Sequence, residues 1–92
     1  MNRRRRIAER MLEDENPNAL FFDGYDKAII GIARRINMSV VAYDGKKIIK
    51  CLIEQGMNYE EAMEFFDFNV AGSWVGDHTP IIIGPIPSKK SN

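Results

Sequence analysis

Residues 58–84, NYEEAMEFFDFNVAGSWVGDHTPIIIG, constrain the fold more than any other part of the chain. Asn58 and Glu61 have the spacing of a capping box, in which each side chain satisfies the other residue's backbone amide. They open a helix whose residues Tyr59, Ala62, Met63, Phe66 and Val70 share one apolar stripe, widened by Phe65 and Phe68. A turn with two glycines follows, and then Ile81, Ile82 and Ile83 read as a short apolar strand between Pro80 and Pro85. Such a strand needs a partner, and the stripe needs a surface to cover.

The preceding sequence supplies both. Residues 2–15 have helical composition, with Ile7, Met11 and Leu12 as a narrow apolar stripe. Arginines at its start and acids at its end oppose the helix macrodipole, so in isolation this segment should fray. Asn16, Pro17 and Asn18 interrupt the chain. Asp23 then caps a second expected helix reaching Ile36, on the spacing of Tyr25, Ile29, Ile32 and Ile36, with Asn37 ending it in a left-handed conformation. Residues 39–43, SVVAY, read as a strand covered on both faces. Asp44 and Gly45 open a third helix to Gln55 that buries Ile48, Ile49, Leu52 and Ile53, and Gly56 stops it. The expected fold is therefore α+β in the order α-α-β-α-α-β, with a small two-stranded sheet packed by helices. Its strands run parallel or antiparallel, and its outer edge is shielded or paired across a homodimer. Residues 1–15 form the N-terminal helix, 16–85 a single domain and 86–92 a disordered tail.

Composition narrows the function. A chain of 92 residues buries only about 60–65% of its unfolded surface, so oligomerisation, a dimer first, would supplement its core. With 13 basic and 13 acidic residues it lacks the cationic surplus of a dedicated nucleic-acid binder. No apolar run suits a membrane span, and the arginine run lacks the apolar core of a secretory signal. The single Cys51 forms no internal disulfide, which fits the cytoplasm, and its apolar register marks it as a buried, inert thiol. Neither metal nor cofactor is expected, because one histidine, one cysteine and scattered carboxylates lack paired ligand spacings.

Three segments carry candidate chemistry. In the turn at residues 72–80, Asp77, His78 and Thr79 are polar candidates for ligand or partner binding on its exposed side. The plainer reading of that turn is structural, with Trp74 packed between the fourth helix and the second strand and Gly76 making the bend. Tyr59 and Phe66 are likewise expected to be structural. Asp44, Gly45, Lys46 and Lys47 open a helix at the end of a strand, where free amides and two ammonium groups suit an anion; an ordinary capped helix start is the alternative. Arg3, Arg4, Arg5 and Arg6, with Arg34 and Arg35, would serve phosphate contacts if the chain bound nucleic acid, or would pair with acids such as Glu9. Glu60, Glu61, Glu64 and Asp67 read as a solvated acidic face.

The order DGYDKAIIG (residues 23–31), AYD (42–44), EEAMEFFDFNV (60–70) and WVGDHTP (74–80) resembles a small-protein family of tailed bacteriophages. That resemblance implies an accessory protein of the infected bacterial cytoplasm. On this reading it is a non-enzymatic binder that acts in counter-defence by sequestering a small anionic signal or by blocking a host or defence protein. A nucleic-acid-binding regulator is the alternative, and a small enzyme is a further one with little acid–base or nucleophilic material to work with.

Overall fold

Residues 29–35, assigned to a helix by their apolar spacing, form a strand. In the computed structural model, which describes residues 2–84, the elements are α1 (Arg3–Glu15), a 3-10 turn (Asp26–Ala28), β1 (Ile29–Arg35) and β2 (Met38–Asp44). They continue with α2 (Gly45–Glu54), α3 (Tyr59–Phe66), a wide π-type turn (Asp67–Ala71) and β3 (Ile81–Ile83). The chain is α+β, but its order is α-β-β-α-α-β, and the sheet has three strands, not two, in the order β1-β2-β3. The expected disordered tail lies outside the described residues.

The second helix gives way to a hairpin for a local reason. Ile29, Ile30 and Ile32 are β-branched and favour extended backbone once a partner strand is present. Arg35 lies opposite Met38, so Ile36 and Asn37 form a two-residue connection. Among the described residues no non-glycine residue has a positive φ, so Asn37 does not take the left-handed conformation expected of a helix end. A register shift between Ile29 and Gly31 bulges the outer strand. The bulge, with Arg34 and Arg35 further along, blunts that edge against further strand pairing.

β2 is the central strand, and Ser39, Val40, Val41, Ala42 and Tyr43 are all buried. Its other neighbour is parallel: Ala42, Tyr43 and Asp44 lie opposite Ile81, Ile82 and Ile83. A parallel pair needs a long crossover, which α2 and α3 supply. α2 buries Ile48, Ile49 and Leu52 but leaves Ile53 exposed. Gly56, at φ 115°, then turns the chain where a side chain would be strained. The reciprocal bonds of Asn58 and Glu61 open α3, at 2.9 Å and 2.8 Å.

α1 shares the main core through Ala8 and Leu12, which cluster with Ile29, Val41, Tyr43 and Leu52. The expected stripe is thus rotated: Leu12 is buried, whereas Ile7 is 48% and Met11 43% exposed. Polar anchors set the rotation. Arg4 Nη1 donates to the Ile29 carbonyl at 2.8 Å, and the Arg5 guanidinium lies 4.2 Å from the Phe21 ring centre. At the other end of α1, Asn16 is 5% exposed and joins three segments. Its Nδ2 donates to the Ser39 carbonyl at 2.8 Å, and its Oδ1 accepts from the Asn18 amide at 3.2 Å. Tyr43 ties in the linker: its hydroxyl accepts from the Phe22 amide at 2.9 Å while the two rings tilt together, 4.9 Å between centres.

Candidate functional site

Two segments that the sequence presents separately meet in one cleft of about 950 Å³. One wall is the start of α2, with Asp44, Gly45, Lys46, Lys47 and Lys50. Tyr59, Met63 and Phe66 of α3 form the second, continued by Val70, Ser73 and Trp74. Phe22, Thr79, Pro80 and Ile82 also line it, with Ile49 and Ile53 of α2 and Ala71 and Gly84. Local chemistry explains how these walls approach. A Cβ on Gly45 would lie 3.3 Å from Ile82 Cγ2 and 3.4 Å from Phe66 Cζ, so glycine lets α2 begin directly against β3 and α3. Phe66, half-buried, packs against the core at the base of this junction.

Electrostatics alter the reading of the helix start. The Asp44 carboxylate accepts from the Lys46 amide at 2.9 Å, so the chain caps α2 itself. An incoming anion would meet that carboxylate instead of an open set of amides. The positive charge available to the cleft is therefore the exposed ammonium groups of Lys46, Lys47 and Lys50. Lys46 and Lys50 lie one turn apart on the helix, which is the spacing of side-chain neighbours.

The turn behaves differently from its expected role. Trp74 is 67% exposed and stands at the cleft rim, so it does not pack between α3 and β3. Tyr59, expected to be structural, is 63% exposed at the same cleft. The wide turn at Asp67–Ala71 has this effect: it returns Val70 to the core and carries the following residues out over the opening. Thr79, expected on the exposed side, is buried. Its hydroxyl donates to the Gly76 carbonyl at 2.7 Å and accepts from the Val75 amide at 2.9 Å, which closes the turn on itself. Asp77 is exposed but does not line the cleft. His78 is half-buried and also lies off the cleft; its carbonyl accepts from the Leu20 amide at 3.2 Å, and its Nδ1 is buried with no hydrogen-bond partner. The trio of Asp77, His78 and Thr79 is therefore not assembled into one binding surface.

The arginine run is also divided. Arg4 and Arg5 turn toward the protein, with Arg5 bonding Glu9 at 3.2 Å and Asp26 at 3.4 Å. Arg3 and Arg6 turn outward and, with Arg10, surround Ile7 and Met11 in a smaller concavity of about 500 Å³. Arg34 is held by both Glu15 oxygens at 2.9 Å, and Arg35 is exposed. Among the described residues, no three His, Cys, Asp or Glu side chains converge as a metal site. Cys51 is free and half-buried; burial, with the nearby Glu54 charge, pushes its thiol up and keeps it protonated. No helix among the described residues is long and apolar enough to cross a membrane.

Sequence reasoning singled out Asp44–Lys47 but took Trp74 and Tyr59 as structural, and it missed Phe22, Lys50 and Met63 as partners of the same cleft. The α3 stripe carried a signal for this. It holds more apolar surface than one short strand can cover, so part of it faces the opening. Comparison with protein-family models, curated proteins and solved structures gives no match for this chain.

Proposed function

We propose that this chain is a non-enzymatic binding protein whose cleft holds a small ligand joining a flat apolar body to an anionic group. One observation carries the reading. Tyr59, Phe66 and Trp74 line an otherwise apolar cleft whose α2 wall presents Lys46, Lys47 and Lys50. Ligand sites commonly combine such an apolar lining with a few polar groups that fix orientation. Aromatic faces accept a planar ring, and ammonium groups at the mouth attract phosphate or carboxylate. Nucleotides and cyclic nucleotides have this two-part chemistry. The resemblance to tailed-phage proteins supports an accessory, counter-defence role in the cytoplasm of the infected bacterium, where capture of such a signal would silence it.

Trp74 is the single tryptophan, so its fluorescence reports directly on the cleft. Titration with a panel of nucleoside phosphates should give saturable quenching for the cognate class, and mass spectrometry after denaturation should identify any molecule carried through purification. Charge reversal at Lys46, Lys47 and Lys50 should remove both signals with the fold intact. A host or defence protein held in the same cleft would instead co-purify as a polypeptide lost in those variants. Absence of both a released molecule and a quenching ligand would refute the proposal. The nucleic-acid reading is weakened by the division of the arginine run, since Arg4 and Arg5 already bond within the chain.

A further inference from the structure

The outward face of α1 carries Arg3, Arg6 and Arg10, beside the half-exposed Ile7 and Met11. The salt bridges among the described residues engage Arg5 and Arg34, so these three guanidinium groups have no acidic partner there. α3 presents the opposite charge. Glu60, Glu64 and Asp67 are exposed, and Phe68 beside them is 78% exposed. Three basic side chains of α1 and three acidic ones of α3 thus form two exposed stripes of opposite charge within a chain that is neutral as a whole.

The two stripes match in register. With about 3.6 residues per turn, each set of three charges falls within roughly 60° of arc. Asp67 still has helical φ and ψ, so it belongs to the α3 stripe. At about 1.5 Å per residue, the arginines are separated by about 4.5 and then 6 Å along the axis, and the acids by about 6 and then 4.5 Å. The sequences of intervals are reversed. Laid antiparallel, the stripes therefore place Arg3 against Asp67, Arg6 against Glu64 and Arg10 against Glu60. The same orientation brings the Ile7–Met11 flank and the Phe68 flank to one side of the seam, whereas parallel helices would put them on opposite sides. Dipoles agree as well. Arg3 lies at the α1 start and Asp67 at the α3 end, each the unfavourable charge for its terminus, and each would neutralise the other.

We infer that α1 of one copy of this chain docks antiparallel on α3 of a second copy. The contact joins two different surfaces, so it is heterologous and complementary in charge. Because the pairs are exposed, salt should loosen the association, and the apolar flank should leave a residual contact.

Sedimentation velocity of the full chain tests this, with circular dichroism to confirm that each variant is folded. The wild type should show a concentration-dependent mass above the monomer at low salt, reduced at high salt. A variant with Arg3→Glu, Arg6→Glu and Arg10→Glu should be monomeric, and so should one with Glu60→Lys, Glu64→Lys and Asp67→Lys. Mixing the two should restore association, because each then offers the stripe that the other lacks. A monomeric wild type, or folded variants that associate as the wild type does, would overturn the inference. So would a mixture that stays monomeric. Retention of DNA or RNA that the Arg→Glu variant loses and the acid→Lys variant keeps, with a monomeric mass throughout, would assign the arginine face to nucleic acid instead.

Discussion

Asn16→Ala should destabilise the protein far more than its sequence context suggests. The side chain is 5% exposed and fastens the end of α1 to the first part of β2 through the Ser39 carbonyl, at 2.8 Å. Truncation removes that donor and the acceptor for the Asn18 amide. Loss of a buried partner costs about 1–3 kcal/mol, and a part-buried bond adds about 0.5–1.5 kcal/mol, so the sum is roughly 1.5–4.5 kcal/mol. For a domain of this size, each kcal/mol moves Tm by about 4–8 °C, so thermal unfolding should shift by at least about 6 °C. Asn18→Ala is the control: it is exposed and keeps its backbone donor, so its change should stay within about 0.5 kcal/mol. Asn16→Asp sharpens the reasoning. At neutral pH it sets a buried carboxylate oxygen against the Ser39 carbonyl, and on protonation the acid regains a donor. Its deficit should therefore shrink as pH falls, relative to the wild type measured at the same pH. Urea unfolding at both pH values provides the assay. An Asn16→Ala protein within about 0.5 kcal/mol of wild type, or an Asn16→Asp protein undiminished at neutral pH, would refute this account of the junction.

Tyr43→Phe keeps the ring against Phe22 but removes the acceptor of the Phe22 amide; chemical denaturation should register a loss of about 1–2 kcal/mol. Trp74→Ala, at an exposed rim position, should change stability by only about 0.5 kcal/mol in thermal unfolding, yet ligand retention measured by mass spectrometry should disappear. The Glu15 carboxyl is lowered to about 2, first by its bonds from Arg34 and then by that from the Ser39 hydroxyl. A depressed folded-state value means its stabilisation is complete above the ordinary carboxylate range near pH 4.3 and is lost as pH falls through about 2. Carboxyl NMR of Arg34→Ala should show Glu15 titrating closer to that ordinary range.

How much of this structure was legible depended on whether the deciding interaction was local. The Asn58–Glu61 box, the Asp44 cap and the doubly covered β2 follow from short-range spacing, and the structure contains each. β1 does not. Tyr25, Ile29, Ile32 and Ile36 satisfy helical periodicity, but the same isoleucines suit a strand, and pairing with β2 decides between the two. Asn16 resembled punctuation because its buried partner lies in the sequence-distant Ser39. α1 shows a related limit. Apolarity favoured an inward stripe of Ile7, Met11 and Leu12, whereas contacts from Arg4 and Arg5 orient the helix around Ala8 and Leu12.

The cleft was half legible for a further reason, which lies in the backbone between α3 and β3. A helix continuing at the α-helical pitch past Phe66 would carry its stripe straight on. The chain widens into a π-type turn at Asp67–Ala71, and Gly72 closes it: a Cβ there would lie 3.1 Å from the Asp67 carbonyl. Such widened turns recur where a helix is adapted to a site. The extra width lets Val70 re-enter the core while Phe68 faces out. Ser73 then bonds the Val70 carbonyl through its hydroxyl at 2.8 Å, which fixes the exit and places Trp74 at the rim. Trp74 lies opposite a helix start that Gly45 allows against β3 and Phe66. Gly45 and Gly72 thus act at the two sides of one opening, Gly45 by close approach and Gly72 by closing the turn. Their small size connects the sequence to a cleft whose aromatic and cationic walls come from separate segments.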